Sequence, residues 1–338
     1  MMVVDGSQGE GGGQILRTAV ALSAVTHEPV RVTDIRARRP NPGLSPSHVT
    51  SIEAVASLCD ARVDGLHPGS KEITFNPEEL LGGDFRFDIG TAGSISLVIQ
   101  SCLLPALLSR TSTRMVLIGG TNVRWSPPID YMLEVHLPII EKFGAKGSAD
   151  IVSRGFFPEG GGEVLLETSP AGQLSGRELG PAGKALSIRG VAFSQNLPEH
   201  VTDRMRHSAM MRLVRFTDVR LSTDHRVGRS TGAGMLLTAQ CENGVLGASA
   251  LGEKGVRAET LGESCAEDLV ETVDSGASVD EYMLDQILPY MGLAKGSSSV
   301  LAEEVSGHAK TNMLVIEQLL DRRFSVKRVN NLVEISVD

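Results

Sequence analysis

Met2-Val3-Val4 runs into Asp5-Gly6-Ser7-Gln8-Gly9-Glu10-Gly11-Gly12-Gly13 and then, from Gln14 to Val25, into a stretch with an apolar helical face. A strand, a glycine loop and a helix in that order constrain the fold strongly. The loop's N–H groups and the positive end of the helix dipole converge on one place, where an anion binds. The alternation then continues. Val30 to Ile35 reads as a strand, and Ser47 to Cys59 as a helix with Ser47 as its N-cap. Ile73-Thr74-Phe75 reads as a strand, Gly93 to Leu108 as a buried helix, and Arg114 to Ile118 as a strand. Ile129 to Phe143 is a helix closed by Gly144 and bent at Pro138. This pattern is that of an α/β chain built in layers.

The glycine loop with its Glu10 has an echo, Pro158-Glu159-Gly160-Gly161-Gly162-Glu163-Val164-Leu165-Leu166-Glu167. Either it marks an internal repeat or two glycine-rich turns are alike by chance. From about Gly183 the chain enters a different module. Ala185 to Phe193 is a strand, Pro198 to Val214 a helix, Val219-Arg220-Leu221 and Gly234 to Ala239 are strands, and Ala258 to Thr272 is a helix. That compact set reads as an insertion, with a return to the main body from Ser278. The end, Phe324 to Val329 and Leu332 to Val337 around Asn330-Asn331, reads as a hairpin. The expected boundaries are 1–183 with 276–338 for a large body, and 184–275 for a smaller inserted α/β domain.

The 338 residues suggest roughly two domains. A net charge of -9 argues against coating long nucleic acid, but not against gripping one end of a strand with a few arginines. Aromatics at 4% exclude a broad stacking platform. The four cysteines show no C-x-x-C spacing and read as buried thiols of a reducing compartment. No stretch is apolar enough to span a bilayer, and the start lacks a signal-peptide pattern, so the chain reads as cytosolic.

The first loop is not a P-loop, since no Gly-Lys-Ser/Thr follows. Glu10 is odd in an anion nest unless a divalent cation stands between it and a phosphate. Arg17, one turn beyond the triplet, reaches the same phosphate or the turn is merely structural. Asp34-Ile35-Arg36-Ala37-Arg38-Arg39-Pro40-Asn41-Pro42-Gly43 places three arginines after a strand, in a stretch that its prolines hold extended; the run is either a solvated face or, since arginine suits it, a phosphate-capturing one. Of eight histidines, most lie in polar turns or, like His136 and His207, within helices. His308 differs: Ser306-Gly307-His308-Ala309-Lys310-Thr311-Asn312 is a polar turn entering a helix, which from spacing alone holds either an incidental histidine or a nucleophile or base.

Together these pieces resemble the RNA 3′-terminal phosphate cyclase family over nearly the whole chain. Arg154-Gly155-Phe156-Phe157-Pro158-Glu159-Gly160-Gly161-Gly162 fits its R-G-x-x-P-x-G-G-G signature. The opening loop, Ile35 to Leu44, Ile89-Gly90-Thr91-Ala92-Gly93-Ser94, Ser126-Pro127-Pro128, Glu281-Tyr282-Met283-Leu284-Asp285-Gln286 and Gly307-His308 agree in order and spacing. The resemblance implies a large domain of three repeated βα units with a smaller α/β domain inserted. It implies an ATP-dependent conversion of an RNA 3′-phosphate end to a 2′,3′-cyclic phosphate, through a histidine–AMP adduct and an adenylylated RNA end.

By matching motif, the resemblance implies His308 as nucleophile, Glu10 as ligand of Mg²⁺ or Mn²⁺, and Arg17 and Gln100 on the ATP phosphates. It implies Pro128, Tyr282, Asp285 and Gln286 around the nucleotide, and Arg36 and Arg39, with help from His48, on the RNA end. Ser47 stands where relatives usually carry Gln, and Asn122 where they usually carry Asp, which implies weaker handling of the RNA end or metal. A cyclase-like branch that acts in ribosome assembly lacks the nucleophilic histidine, so His308 argues for the enzymes. Enolpyruvyl transferases share the architecture but not the arginine and histidine motifs. RNA ends and ATP are the implied partners, with no membrane; the oligomeric state is left open, and a homodimer is compatible with it.

Overall fold

β1 (Met2–Asp5) and β2 (Val30–Thr33) run parallel, joined by α1 (Gly13–Thr26). After α2 (Pro46–Leu58), β3 (Arg62–Asp64) and β4 (Ile73–Asn76) add antiparallel, giving the order β1-β2-β4-β3. The computed structural model describes residues 1–338, and this pattern recurs in it. β5 (Gly83–Asp88), α3 (Ile95–Leu107) and β6 (Thr113–Gly119) form the parallel pair of a second sheet. The helical stretch α4 (Ile129–Tyr131), a π-helical turn (Met132–His136) and α5 (Leu137–Glu141) then leads to β7 (Lys146–Ser153) and β8 (Gly162–Ser169). The order is β5-β6-β8-β7.

A third sheet opens with β9 (Glu178–Leu179), which is parallel to β14 (Ser298–Ala302). Between them lie a separate module and α8 (Glu281–Leu293); after β14 come α9 (Gly307–Leu319) and the hairpin β15 (Phe324–Val329) and β16 (Leu332–Val337). Read as β9-β14-β16-β15, this sheet has the strand order and pairing sense of the other two. The intervening module is β10 (Ala185–Gln195), α6 (His200–Arg212), β11 (Val219–Arg226), β12 (Gly232–Cys241), β13 (Val245–Leu251) and α7 (Ala258–Ser275), with its own sheet β11-β10-β12-β13.

Burial follows the sequence. α3 is apolar on almost every side because it is buried on almost every side, from Ile95 to Leu107. One apolar core joins the first three sheets and their helices. A second, under β10 and β12, contains Ile188, Met205, Met235 and Leu261. All four cysteines are buried and free; burial pushes the Cys59 thiol up to about 11. No helix is long and apolar enough to cross a membrane.

Several expectations change. The two glycine triplets occupy non-equivalent places: the first precedes a helix, the second precedes strand β8. Their likeness is one of turn chemistry, since Gly9 and Gly11 in one loop and Gly160 and Gly161 in the other all take positive φ. α2 is capped by Ser45, not Ser47, because the Ser45 backbone N–H donates to His48 Nδ1 in a capping box. The irregularity expected at Pro138 takes the form of the π-helical turn just before it, since proline offers no N–H to Glu134.

Arg154, from the signature, is the largest of the fully buried side chains. Its two terminal nitrogens donate to the two oxygens of Asp130 at 2.8 Å each, and Nε donates to Asp224 on β11 at 2.9 Å. Asn122 Oδ1 accepts from it at 3.3 Å, and its guanidinium sits 4.2 Å from the centroid of Phe193 on β10. Asn122 therefore takes part in the joint between the second sheet and the inserted module. With two carboxylates already on one guanidinium, a neutral amide avoids a third buried negative charge. Arg154→Met is expected to lower unfolding free energy by about 3–5 kcal/mol, because Asp130 stays buried without its cation. Urea denaturation of Arg154→Met, Asp130→Asn and the double variant checks this: the double variant should cost less than the two singles added together.

Candidate active site

The loop after β1 meets the start of α9. Ser306 caps α9 by accepting from the Ala309 N–H, and His308 stands in the first turn, half-exposed. Its Nδ1 is 3.0 Å from Glu10 Oε2. The Glu10 backbone N–H donates to Thr311 Oγ1 at 3.3 Å, and Thr311 donates in turn to Gly307 O at 2.8 Å. A side chain at Gly307 would begin on top of Glu10 Oε1, so glycine there is what lets the two segments touch. With Nδ1–H held by the carboxylate, Nε2 is the ring nitrogen left to act. Oriented in this way at a helix amino end, the ring suits attack on a center that gains negative charge.

A cavity of about 460 Å³ opens beside His308. Of the residues expected there, Arg17, Gln100, Pro128, Tyr282, Asp285 and Gln286 all line it. Pro128 comes from the start of α4, Gln100 from α3, and Tyr282, Asp285 and Gln286 from the first turns of α8. Burial pulls Arg17 down to about 10, which leaves it a cation at neutral pH. Burial pushes Asp285 up to about 7, opposed by the charge of Arg17 and by the amide of Gln14, whose Nε2 donates to Asp285 Oδ2 at 2.7 Å. Gln14 Oε1 is buried with no hydrogen-bond partner.

Arg36, Arg39 and His48 form a second cluster on the same side of the first loop. Arg39 is 4.0 Å from Glu10 Oε2. His48 is buried, with Nε2 against Gly13 and Nδ1 accepting from the Ser45 N–H, so Nε2 carries its proton. Burial, then the charges of Arg17 and Arg36, pull it down to about 3, so at neutral pH it is a hydrogen-bond donor and not a cation. The segment around these arginines is not extended. Ala37 N–H donates to Asp34 O and Arg39 N–H to Arg36 O, and Asp34 and Arg36 take left-handed φ. The prolines constrain only the residues just before them, Arg39 and Asn41, leaving 34–38 free to turn. The turns bring Arg39 toward the first loop, while Arg36 Nη1 donates to Gly43 O at 3.0 Å. Ser47 reinforces the cap, its Oγ 3.0 Å from Ser45 Oγ.

Some cavity residues carry no sequence signal. Ser249, Leu251 and Glu253 reach it from the inserted module. His136, which looks like an ordinary helix residue, is buried with Nδ1 2.7 Å from Gln286 Oε1, and so fixes a cavity wall. Asn312 joins Thr18 and Asp285 O in a buried bridge. Nowhere do three or more His, Cys, Asp or Glu side chains gather as a metal-ligand set. Beside His308, Glu10 offers one carboxylate, a donor set that fits Mg²⁺ or Mn²⁺ only where phosphate oxygens supply further ligands.

The fold and cavity define an α/β protein with a histidine at the mouth of a polar pocket. Residues 8–326 match the family model described as RNA 3′-terminal phosphate cyclase, and the chain belongs to that family. It is 43% identical to the RNA 3′-terminal phosphate cyclase of Nitrosospira multiformis, over 99% of this chain and 96% of the relative. It is 43% identical to that of Methanosarcina mazei over 100% of both chains, and 40% identical to that of Pyrococcus furiosus over 97% and 95%.

His136 carries a pH prediction. Burial pulls it from 6.5 down to about 4, so its protonation favors the unfolded chain. Its contribution is intact above about pH 6.5 and is lost as pH falls toward about 4. Between those limits His136→Gln should remove on the order of 3 kcal/mol of acid sensitivity. Urea denaturation across that window checks it; a constant difference from wild type would refute it.

Proposed function

We propose that this chain converts RNA 3′-phosphate ends to 2′,3′-cyclic phosphates with ATP as co-substrate, and that His308 is the nucleophile. The observation that carries the reading is the placement of His308, oriented by Glu10, at a cavity lined by Arg17, Gln100, Tyr282, Asp285 and Gln286. The names of the relatives support the reaction class.

His308 Nε2 attacks the α-phosphorus of ATP, forming the N–P bond as the bond to the β-phosphate breaks and pyrophosphate leaves. Arg17 and Gln100 hold the phosphates, while Tyr282 and Pro128 flank the nucleoside. A 3′-phosphate oxygen of the RNA then attacks the same phosphorus and the N–P bond breaks, so AMP passes to the RNA end. The neighboring 2′-hydroxyl attacks the 3′-phosphorus, loses its proton, and expels AMP; proximity supplies much of the acceleration. Arg36 and Arg39 hold the terminal phosphate, and His48 donates a hydrogen bond to it. A divalent cation on Glu10 would neutralize phosphate charge. On the same reading residues 1–183 and 276–338 form the catalytic body, and 184–275 the inserted domain.

With α-labeled ATP and Mg²⁺ or Mn²⁺, wild type should form an acid-labile protein–AMP adduct that His308→Ala abolishes. No adduct with either metal would return the chain to the non-catalytic branch. Arg39→Ala should leave self-adenylylation within a few-fold of wild type yet slow cyclization by about 10–100-fold, the effect of one lost charge-assisted contact. Equal loss of both steps would place Arg39 on ATP instead.

A further inference from the structure

The surface beside the second arginine cluster continues in one direction. Loop 89–94 lies on the start of α2: a side chain on Gly93 would begin 2.9 Å from Ser47 Cβ. The same loop packs under the signature loop, where a side chain on Gly160 would begin 2.9 Å from Ala92 Cα. Next to it, Gly161 lies against the aliphatic stem of Arg229, from the loop joining β11 to β12. These two loops are locked together. The Phe156 N–H donates to Ser230 Oγ at 2.7 Å, that hydroxyl donates to Gly160 O at 3.0 Å, and Gln195 Nε2 donates to Ser230 O at 2.8 Å.

On this rigid base Phe157 is 74% exposed. Arg229 is exposed as well. Arg226, three positions earlier in the chain, is paired with Asp224, while Arg229 forms no ion pair. Phe157 is thus exposed in the same loop whose Gly161 contacts the Arg229 stem, and single-stranded nucleic acid is gripped where a base stacks on a ring and a phosphate meets an arginine. Low aromatic content rules out a broad platform, but one base needs only one ring.

We propose that Phe157 and Arg229 bind the single-stranded RNA just upstream of its 3′-phosphate end, a base on Phe157 and a backbone phosphate on Arg229. The proposal rests on the cyclase reading for the terminal phosphate at Arg36 and Arg39, and adds the path by which the strand arrives.

Cyclization kinetics on a dinucleotide 3′-phosphate and on RNA of about eight nucleotides test it. In wild type the longer RNA should have a KM about tenfold lower. Phe157→Ala and Arg229→Ala should each lose most of that advantage while kcat and self-adenylylation persist, and Phe157→Trp should keep it. Arg229→Ala should also reduce the slope of log KM against log salt by about 0.7 for the longer RNA. No length dependence in wild type, or an equal rise in KM on both substrates, overturns the proposal. If wild type cyclizes nothing, the cyclase reading fails instead. Filter binding of the longer RNA then decides the path: weaker binding in both alanine variants sustains it, and unchanged binding ends it.

Discussion

One buried guanidinium ties the molecule together. Arg154 comes from the loop between β7 and β8, takes both oxygens of Asp130 at the start of α4, and reaches Asp224 and Phe193 in the inserted module. Asp130 follows Pro128 by two residues, so the ion pair that holds the module also sets the segment that lines the cavity. Two bonds to a fork-shaped cation fix direction as well as distance, which a lysine ammonium cannot do.

A second buried carboxylate repeats the device. Asp280 caps α8 through the Met283 N–H, accepts from the Gly247 N–H on β13 at 2.9 Å, and accepts from the Tyr131 hydroxyl at 2.5 Å. The helix that carries Tyr282, Asp285 and Gln286 is thus anchored at its N-cap to α4 and to the inserted module. Buried polar groups demand partners, and here the partners come from different parts of the chain. Burial of these ties turns a packing requirement into positional control of the cavity.

Much of this was legible in the sequence, for identifiable reasons. Helices with a clear apolar face, such as α1, and motifs whose neighbors in sequence are also neighbors in space, such as Ser306 to Asn312, could be read directly. The candidate residues His308, Glu10, Arg17, Gln100, Tyr282 and Asp285 all meet around one cavity and its rim. What escaped is what depends on distant segments. β5, with half its residues exposed, and the two-residue β9 have too little apolar pattern to announce themselves. His136 is an ordinary helix residue until a glutamine 150 positions later arrives beside it. The likeness of the glycine triplets misled, because positive φ is a property of a turn and not of its place in a repeat.

Glu10 and His308 stand near opposite ends of the chain, and α1 packs directly against α9. A ribosome therefore releases the carboxylate loop long before the histidine. A nascent chain that has not yet reached α9 cannot hold the imidazole against Glu10. The pairing waits on a contact between two distant helices rather than on local folding.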